Sequence, residues 1–139
     1  SVVFYWLPNL EKLYLNNNYF AGDILESISN SSKLLVLMLF DNKFTGRIPI
    51  SLSNLRLLQA LDLRSNKLVT DFSHPESSFI FSLANSKNLK LLDMHDNPLN
   101  GILPEFVGNI SSFLQKFYAY RCNLSGKILD GFCDSPTFP

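Results

Sequence analysis

Residues 34–48 read LLVLMLFDNKFTGRI, and the spacing of leucine, asparagine and glycine in this stretch recurs along the chain. Four other windows align with it without gaps: LEKLYLNNNYFAGDI from Leu10, LQALDLRSNKLVTDF from Leu58, LKLLDMHDNPLNGIL from Leu89 and LQKFYAYRCNLSGKI from Leu114. The shared pattern is L-x-x-L-x-L-x-x-N-x-L-x-G-x-I. Five copies in register predict a protein of stacked repeats, each of which is one structural unit.

The repeat boundaries follow from the window starts, which lie 24, 24, 31 and 25 residues apart. The third unit is therefore longer, and the Ser, His, Pro and Glu content of its extra stretch predicts an inserted loop at about residues 69–81, on the convex side or its edge. The predicted units are 1–9, the tail of a preceding repeat, and repeats 10–33, 34–57, 58–88, 89–113 and 114–139. The apolar anchors predicted for the convex return path are Ile28, Leu52, Leu83 and Val107.

Each window position has a physical role. Apolar residues at positions 4 and 6, such as Leu13 and Leu15, alternate with polar ones and predict a short strand with one buried face. One such strand cannot bury its face alone, so the copies must stack into a parallel sheet. At position 9 the chain leaves the strand, and an amide side chain there can donate to and accept from buried backbone groups. The residues at this ladder position are Asn18, Asn42, Asn66, Asn97 and, in the fifth copy, Cys122.

The composition excludes several classes of function. The chain has 139 residues, with 12 Lys+Arg against 12 Asp+Glu and a net charge of 0. We therefore expect no nucleic-acid partner, because phosphate binding needs clustered cations. No apolar run approaches the ~18 residues of a membrane span, so we expect no membrane contact by this chain. The 46% of hydrophobic residues argues against intrinsic disorder.

The glycine end of the pattern carries a resemblance to a known family. GRIP at Gly46–Pro49 completes a G-x-I-P motif, and GILP at residues 101–104 has leucine for isoleucine. On these motifs the chain resembles the plant extracellular subclass of leucine-rich-repeat proteins, although Leu25 and Leu129 stand where the subclass has proline. From Leu58 to Ile128, with the long third unit, NPLNGILP and SSFLQKFYAYRCNLSGKI, it resembles most closely the ectodomains of plant receptor-like kinases of the bacterial-pattern-sensing subfamily.

The resemblance implies an α/β repeat fold, the leucine-rich-repeat solenoid. In this fold a right-handed coil carries a parallel β-sheet on its concave face and short 3-10, helical or irregular segments on its convex face. The G-x-I segments are expected to form a second short sheet. The cysteine-paired caps of such ectodomains are absent, so we expect the chain to be either an internal piece of a longer array or a truncated member of the family.

The resemblance also implies a function. It indicates an extracellular module of a plant receptor-like kinase that recognises a peptide or protein ligand, with a co-receptor, in pattern recognition or signalling at the plasma membrane. We predict no enzymatic activity and no cofactor, because the chain has no Gly-rich phosphate loop and no HRD-like segment of a kinase. Two alternatives stay open. One is a stand-alone secreted leucine-rich-repeat protein, such as an inhibitor of microbial wall-degrading enzymes. The other is an ice-binding protein, which the lack of regularly repeated exposed Thr or Asn disfavours.

Outward strand positions 3, 5, 7 and 8 are the candidates for ligand binding, because the inward positions are committed to the core. Neighbouring strands lie ~4.8 Å apart, so these side chains form one surface. An exposed apolar patch marks an interaction site, and Tyr and Arg are favoured at binding hot spots. A face without a partner is the alternative. The predicted ligand-binding residues are Tyr14, Val36, Met38, Phe40, Asp62, Arg64, Asp93, His95, Tyr118, Tyr120 and Arg121.

The centre of this surface is acidic, with Asp62, Asp93, His95 and Asp96. Asp and His on adjacent strands are residue types that ligate metals or serve acid–base catalysis. We interpret them instead as a solvated polar face, in which Arg64 compensates the carboxylates. No G-x-S-x-G, H-E-x-x-H or Cys-x-x-Cys occurs, so we expect no metal site and no catalytic residue.

The sequons and cysteines bear on the cellular compartment. N-x-S sequons at Asn30, Asn109 and Asn123 predict glycosylation and therefore an extracellular location. The ladder residue Cys122 is expected to be a buried thiol. Cys133 lies past the following turn, on the opposite side of the coil, so we predict that the two cysteines do not form a disulfide with each other. Whether Cys133 pairs with a cysteine outside this chain stays open.

Overall fold

The computed structural model describes residues 7–70, 79–83, 86–102 and 114–125. Within these ranges each repeat forms one coil of a solenoid. A coil has a short strand on the concave face and a second short strand after the following turn. The strands are β1 (Lys12–Tyr14), β2 (Ala21–Asp23), β3 (Val36–Met38), β4 (Lys43–Arg47), β5 (Ala60–Asp62), β6 (Lys67–Val69), β7 (Leu91–Asp93), β8 (Gly101–Ile102), β9 (Lys116–Tyr118) and β10 (Leu124–Ser125).

The first strands of the coils form one five-stranded parallel sheet, in the order β1-β3-β5-β7-β9. The register aligns the same window position in every repeat, so that Lys12 pairs with Val36 and Leu91 pairs with Lys116. The central residue of each strand points towards the core, where Leu37 is fully buried. The predicted α/β solenoid with a parallel concave sheet is therefore confirmed.

The second strands of the coils form an interrupted sheet. β2, β4 and β6 make a three-stranded parallel sheet, and β8 and β10 make a separate two-stranded one. The break lies after the third coil, where the repeat carries its extra residues and has Thr70 in place of glycine. The glycine is needed in the second coil, because Gly46 has a φ of 76° and a Cβ atom there would collide with the carboxylate of Asp23.

The convex side carries two 3-10 helices, Glu26–Asn30 and Ile50–Asn54, and one short α-helix, α1 (Phe79–Ser82). The buried side chains of this side include the predicted anchors Ile28, Leu52 and Leu83. The fourth predicted anchor, Val107, lies outside the described residues. No helix in the described ranges has the length and apolar character needed to cross a bilayer.

The loop predicted at residues 69–81 is wrong at its C-terminal end. Phe79 and Ile80 are buried, and α1 packs against the 3-10 helix of the preceding coil. The prediction rested on the polar residues of the insertion. Burying two large apolar side chains stabilises the fold by roughly 2 kcal/mol each, so these residues join the core instead of the loop. Residues 71–78 lie outside the described part of the chain.

The ladder asparagines connect neighbouring coils. The amide nitrogen of Asn42 donates to the carbonyls of Leu39 (3.1 Å) and Phe40 (3.2 Å) in its own coil and of Leu15 (2.8 Å) in the preceding one. Its amide oxygen accepts the N–H of Phe20 at 3.1 Å. One side chain thus satisfies backbone groups that are shielded from water in two coils. The same set of bonds recurs at Asn66 and Asn97.

A left-handed residue bends the chain out of every strand of the concave sheet. The residue at window position 8 has a φ between 51° and 58°. Asn and Asp tolerate this conformation, whereas it costs other residues roughly 1–2 kcal/mol. Hydrogen bonds between coils hold the bend, as where the N–H of Asp41 donates to the carbonyl of Arg64 at 3.2 Å. The residues at this position are Asn17, Asp41, Ser65, Asp96 and Arg121.

We expect Asn66→Ala to lower the free energy of unfolding by about 3 kcal/mol, because it leaves a buried N–H and buried carbonyls without partners. Asn18→Ala is the matched control. Asn18 is exposed and donates to two carbonyls of its own turn, so its loss should stay below about 1 kcal/mol. Urea unfolding followed by circular dichroism measures both variants. Equal losses would show that the bonds between coils are not the source of the stability.

Candidate functional site

The concave face presents two rows of side chains across its sheet. One row comes from window position 5 and consists of Tyr14, Met38, Asp62, Asp93 and Tyr118. The other comes from window position 7, just past the strands, and consists of Asn16, Phe40, Arg64, His95 and Tyr120. Successive members of a row lie about 4.8 Å apart, as strands in a sheet do. The chemistry of both rows changes along the solenoid, so the face divides into three adjoining groups.

The central group is an ionic cluster of Asp62, Arg64, Asp93 and His95. Atom Nη1 of Arg64 lies 3.3 Å from a carboxylate oxygen of Asp62 and 3.8 Å from one of Asp93. Atom Nδ1 of His95 lies 2.5 Å from Oδ1 of Asp93. Asp62 and Asp93 are each 4% exposed and His95 is 9% exposed. The predicted solvated polar face is therefore wrong for these three residues, because strand alternation predicts a side chain's direction but not how far its neighbours cover it.

Burial within the ionic cluster changes the proton affinity of Asp62. Desolvation raises the pKa of Asp62 to about 6, and the negative charge of Asp93 acts in the same direction. The N–H of Arg64, which donates to Oδ1 of Asp62 at 3.2 Å, opposes this shift together with the positive charges of Arg64 and His95. No group of three or more His, Cys, Asp or Glu side chains in the described ranges is arranged to hold a metal ion.

The C-terminal group is a tyrosine–arginine strip of Tyr118, Tyr120 and Arg121. The ring of Tyr120 stacks on His95 with centroids 4.2 Å apart and meets Tyr118 edge-on at 6.5 Å. The guanidinium of Arg121 lies 5.3 Å from the Tyr120 centroid. It also pairs with both carboxylate oxygens of Asp96, at 2.7 Å and 2.8 Å. Tyr120 is held by its neighbours yet remains 49% exposed, so it offers a fixed aromatic surface to a ligand.

The N-terminal group is an apolar patch of Tyr14, Val36, Met38 and Phe40. Tyr14 is exposed, whereas the other three are half-buried. The guanidinium of Arg64 lies 4.1 Å from the centroid of the Phe40 ring, a cation–π contact that joins the patch to the ionic cluster. The predicted binding residues therefore form one contiguous set across the described coils, in which Asp62, Asp93 and His95 are buried.

The sequence analysis missed two contacts between adjacent coils. It assigned no role to the pairing of Asp96 with Arg121, and it did not anticipate the stacking of Arg64 on Phe40. In each case the partners occupy the same window position in neighbouring repeats: position 8 for the ion pair and position 7 for the stack. Comparing equal positions of adjacent windows for opposite charge or for cation and ring would have found both.

The remaining predicted residues lie away from the two rows. Asn30 and Asn123 are exposed, and the amide of Asn123 donates to the side chain of Asn100 at 2.7 Å. Cys122 is buried, and its thiol, whose pKa burial raises, donates to a backbone carbonyl of the fourth coil at 3.1 Å. Asn109 and Cys133, the other predicted sequon and cysteine, lie outside the described residues.

Comparison with known proteins agrees with this architecture. Two family models, both described as leucine rich repeat, match residues 8–68 and 88–110. The chain belongs to the leucine-rich-repeat family. No curated protein sequence matches this leucine-rich-repeat chain significantly.

Solved structures extend the comparison to particular proteins. A plant ice-binding protein is 29% identical with a TM-score of 0.80, and the match covers 93% of this chain and 39% of that one. The leucine-rich-repeat ectodomain of the receptor kinase SOBIR1 from Arabidopsis thaliana is 32% identical with a TM-score of 0.68, covering 86% and 60%. The Arabidopsis receptor kinase HAESA, in complex with the peptide hormone IDA and the co-receptor SERK1, is 26% identical with a TM-score of 0.70, covering 88% and 18%.

These matches confirm the predicted likeness to plant leucine-rich-repeat ectodomains. The chain spans 39% of the ice-binding protein and 60% of the SOBIR1 ectodomain, so it corresponds to part of each. The shared part is the stack of coils that carries the concave face.

We predict that Asp62→Asn gains stability relative to the wild type as the pH rises. Folding raises the pKa of Asp62, so protonation of its carboxyl group stabilises the folded state. This stabilisation is fully present below pH 3.8 and is lost as the pH rises to about 6. Asparagine resembles the protonated carboxyl group and does not titrate. Urea unfolding of both proteins across this pH range measures the difference, and parallel curves would contradict the prediction.

Proposed function

We propose that this chain is part of the extracellular recognition module of a plant receptor kinase and binds a peptide on its concave face. The observation that carries the proposal is Tyr120, which is half-exposed yet fixed by stacking on His95 and by the guanidinium of Arg121. The likeness to receptor kinase ectodomains, one of them in complex with a peptide hormone and a co-receptor, supports it. In this proposal the module binds and does not catalyse.

The tyrosine–arginine strip has the chemistry of a binding hot spot. Tyr and Arg are the residues in which interface binding energy concentrates. Because Tyr120 and Tyr118 already lie edge to face, and Asp96 already holds Arg121, a ligand would order few side chains on binding. Less ordering means that more of the contact energy appears as affinity.

The dimensions of the sheet suggest the size of the ligand. Four strand spacings of about 4.8 Å separate the first concave strand from the fifth, a distance of roughly 19 Å. An extended peptide rises about 3.3 Å per residue, so about six residues would cross the described face. Such a peptide would meet the apolar patch at one end, the ionic cluster in the middle and the tyrosine–arginine strip at the other end.

The proposal places the module at the cell surface, with glycosylation at its sequons and a co-receptor as a further partner. The exposure of Asn30 and Asn123 is compatible with modification of those two sequons. A stand-alone secreted protein, such as an inhibitor of microbial wall-degrading enzymes, could use the same concave face. A transmembrane segment and a kinase domain in the parent protein would distinguish the receptor from the secreted inhibitor.

We expect Tyr120→Ala to weaken peptide binding by about tenfold or more, because it removes the exposed ring of the strip. The probes are peptides selected on the wild-type chain from a displayed random library, and fluorescence anisotropy measures their affinity. Tyr19→Ala is the matched control, since Tyr19 is an exposed tyrosine beside Lys43, away from the strip. If the selected peptides bound both variants with wild-type affinity, the tyrosine–arginine strip would not be the peptide-binding site.

Ice binding is a second candidate function, favoured by the similarity to the plant ice-binding protein. The outward rows do not repeat one side chain, as a regular ice-facing array would. The row at window position 3 reads Lys12, Val36, Ala60, Leu91 and Lys116. We therefore expect no thermal hysteresis beyond that of an equal concentration of bovine serum albumin. Hysteresis above that control would favour ice binding over peptide recognition.

A further inference from the structure

The edge of the concave sheet at which its strands begin is basic. Six cations lie at the first residues of these strands or up to four residues before them, and every coil contributes at least one of them. All six are exposed, and none forms an ion pair within the described ranges. We call this set the basic edge; its members are Lys12, Lys33, Arg56, Lys87, Lys90 and Lys116.

Few carboxylates of the described ranges lie at this edge. Among the described residues Glu11 is the one acid beside the six cations, which leaves a local charge of +5 (6 minus 1) although the whole chain has a net charge of 0. Asp62, Asp93 and Asp96 lie further along the coils, where Arg64 and Arg121 pair with them. Charge of one sign along one edge attracts an anionic partner and speeds its association.

An apolar side chain lies in the middle of the basic edge. Leu57 is 46% exposed and directly precedes the third coil's window, as Lys33 precedes the second. The backbone at this point is held in place, because Asn88 of the next coil donates to the carbonyl of Arg56 at 2.7 Å. An exposed leucine beside an anchored stretch of backbone and among cations resembles the apolar centre and polar rim of a protein interface.

We propose that the basic edge docks an acidic segment of a second polypeptide. The carboxylates of the partner pair with the lysines, and an apolar side chain of the partner contacts Leu57. An acidic polysaccharide would satisfy the cations but would make no use of the leucine, so the observations favour a polypeptide. This surface differs from the tyrosine–arginine strip, which lies at and past the opposite end of β9. The proposal does not depend on the peptide-binding function.

The test compares two double variants that remove the same charge. Lys33→Gln/Lys87→Gln removes two of the six cations of the basic edge, and Lys43→Gln/Lys67→Gln removes two exposed lysines at β4 and β6. The probes are a fluorescent peptide of Glu and Gly with one central Leu, the same peptide without Leu, and polygalacturonate. Fluorescence anisotropy measures binding of each peptide, and polygalacturonate is measured by its competition with them.

Binding of the leucine peptide to the wild type should weaken as the salt concentration rises. The basic-edge variant should bind this peptide about tenfold more weakly, because each exposed charge contact contributes a factor of roughly two to five to the affinity. The control double variant should change the affinity less than about twofold. Leu57→Ala should reduce the affinity for the leucine peptide to that for the leucine-free one. Thermal unfolding of each variant checks that these surface changes leave the fold intact.

Several outcomes would overturn the proposal. Equal losses in the two double variants would show unspecific charge attraction, and absence of binding would remove the site. Displacement of both peptides by polygalacturonate, together with no effect of Leu57→Ala, would assign the edge to a polysaccharide. If Tyr120→Ala abolished binding of the leucine peptide, that peptide would bind at the tyrosine–arginine strip and not at the basic edge. Unchanged binding in Tyr120→Ala would show that the basic edge acts independently of the peptide-recognition site.

Discussion

Backbone groups that point into the solenoid where the chain leaves the concave sheet must find partners away from water. The amide side chain of Asn42 meets this need for two coils at once, because it bonds carbonyls of its own coil and of the preceding one and accepts an N–H from the latter. The same bonding recurs at Asn66 and Asn97, so the spacing of these asparagines sets the register of the stack. The parallel sheet and the left-handed bend at window position 8 follow from the same register.

This register determines the chemistry of the concave face. It brings equal window positions of successive repeats into contact, so residues far apart in the chain become neighbours. Phe40 and Arg64 are brought together in this way, as are Tyr120 and His95, each pair from adjacent coils. The same alignment collects the six cations of the basic edge on one side of the sheet. A neutral chain thereby acquires a basic edge, a buried ionic cluster and an aromatic strip.

Much of the fold could be predicted from periodicity, whereas the state of individual side chains could not. The repeat spacing predicts the parallel sheet and the convex anchors, because a solenoid has few ways to bury such a pattern. It does not predict α1, because that helix forms where two apolar residues at the end of a polar insertion become buried. Nor does it predict the burial of Asp62 and His95, which depends on how closely side chains from neighbouring coils cover them. The concave surface could be predicted as a list of residues, but not its division into groups.

The sequence by itself determined the repeat, the ladder position and the direction in which each strand residue points, because these follow from local periodicity and from the pairing needs of the backbone. Only the tertiary structure decided which of those residues touch, which are shielded from water and where the charges collect. These properties depend on distances between coils that are 24 or more residues apart in the chain. Desolvation and Coulomb interactions act across such distances in space, and for that reason the ionic cluster, the fixed ring of Tyr120 and the basic edge emerge only when the coils are stacked.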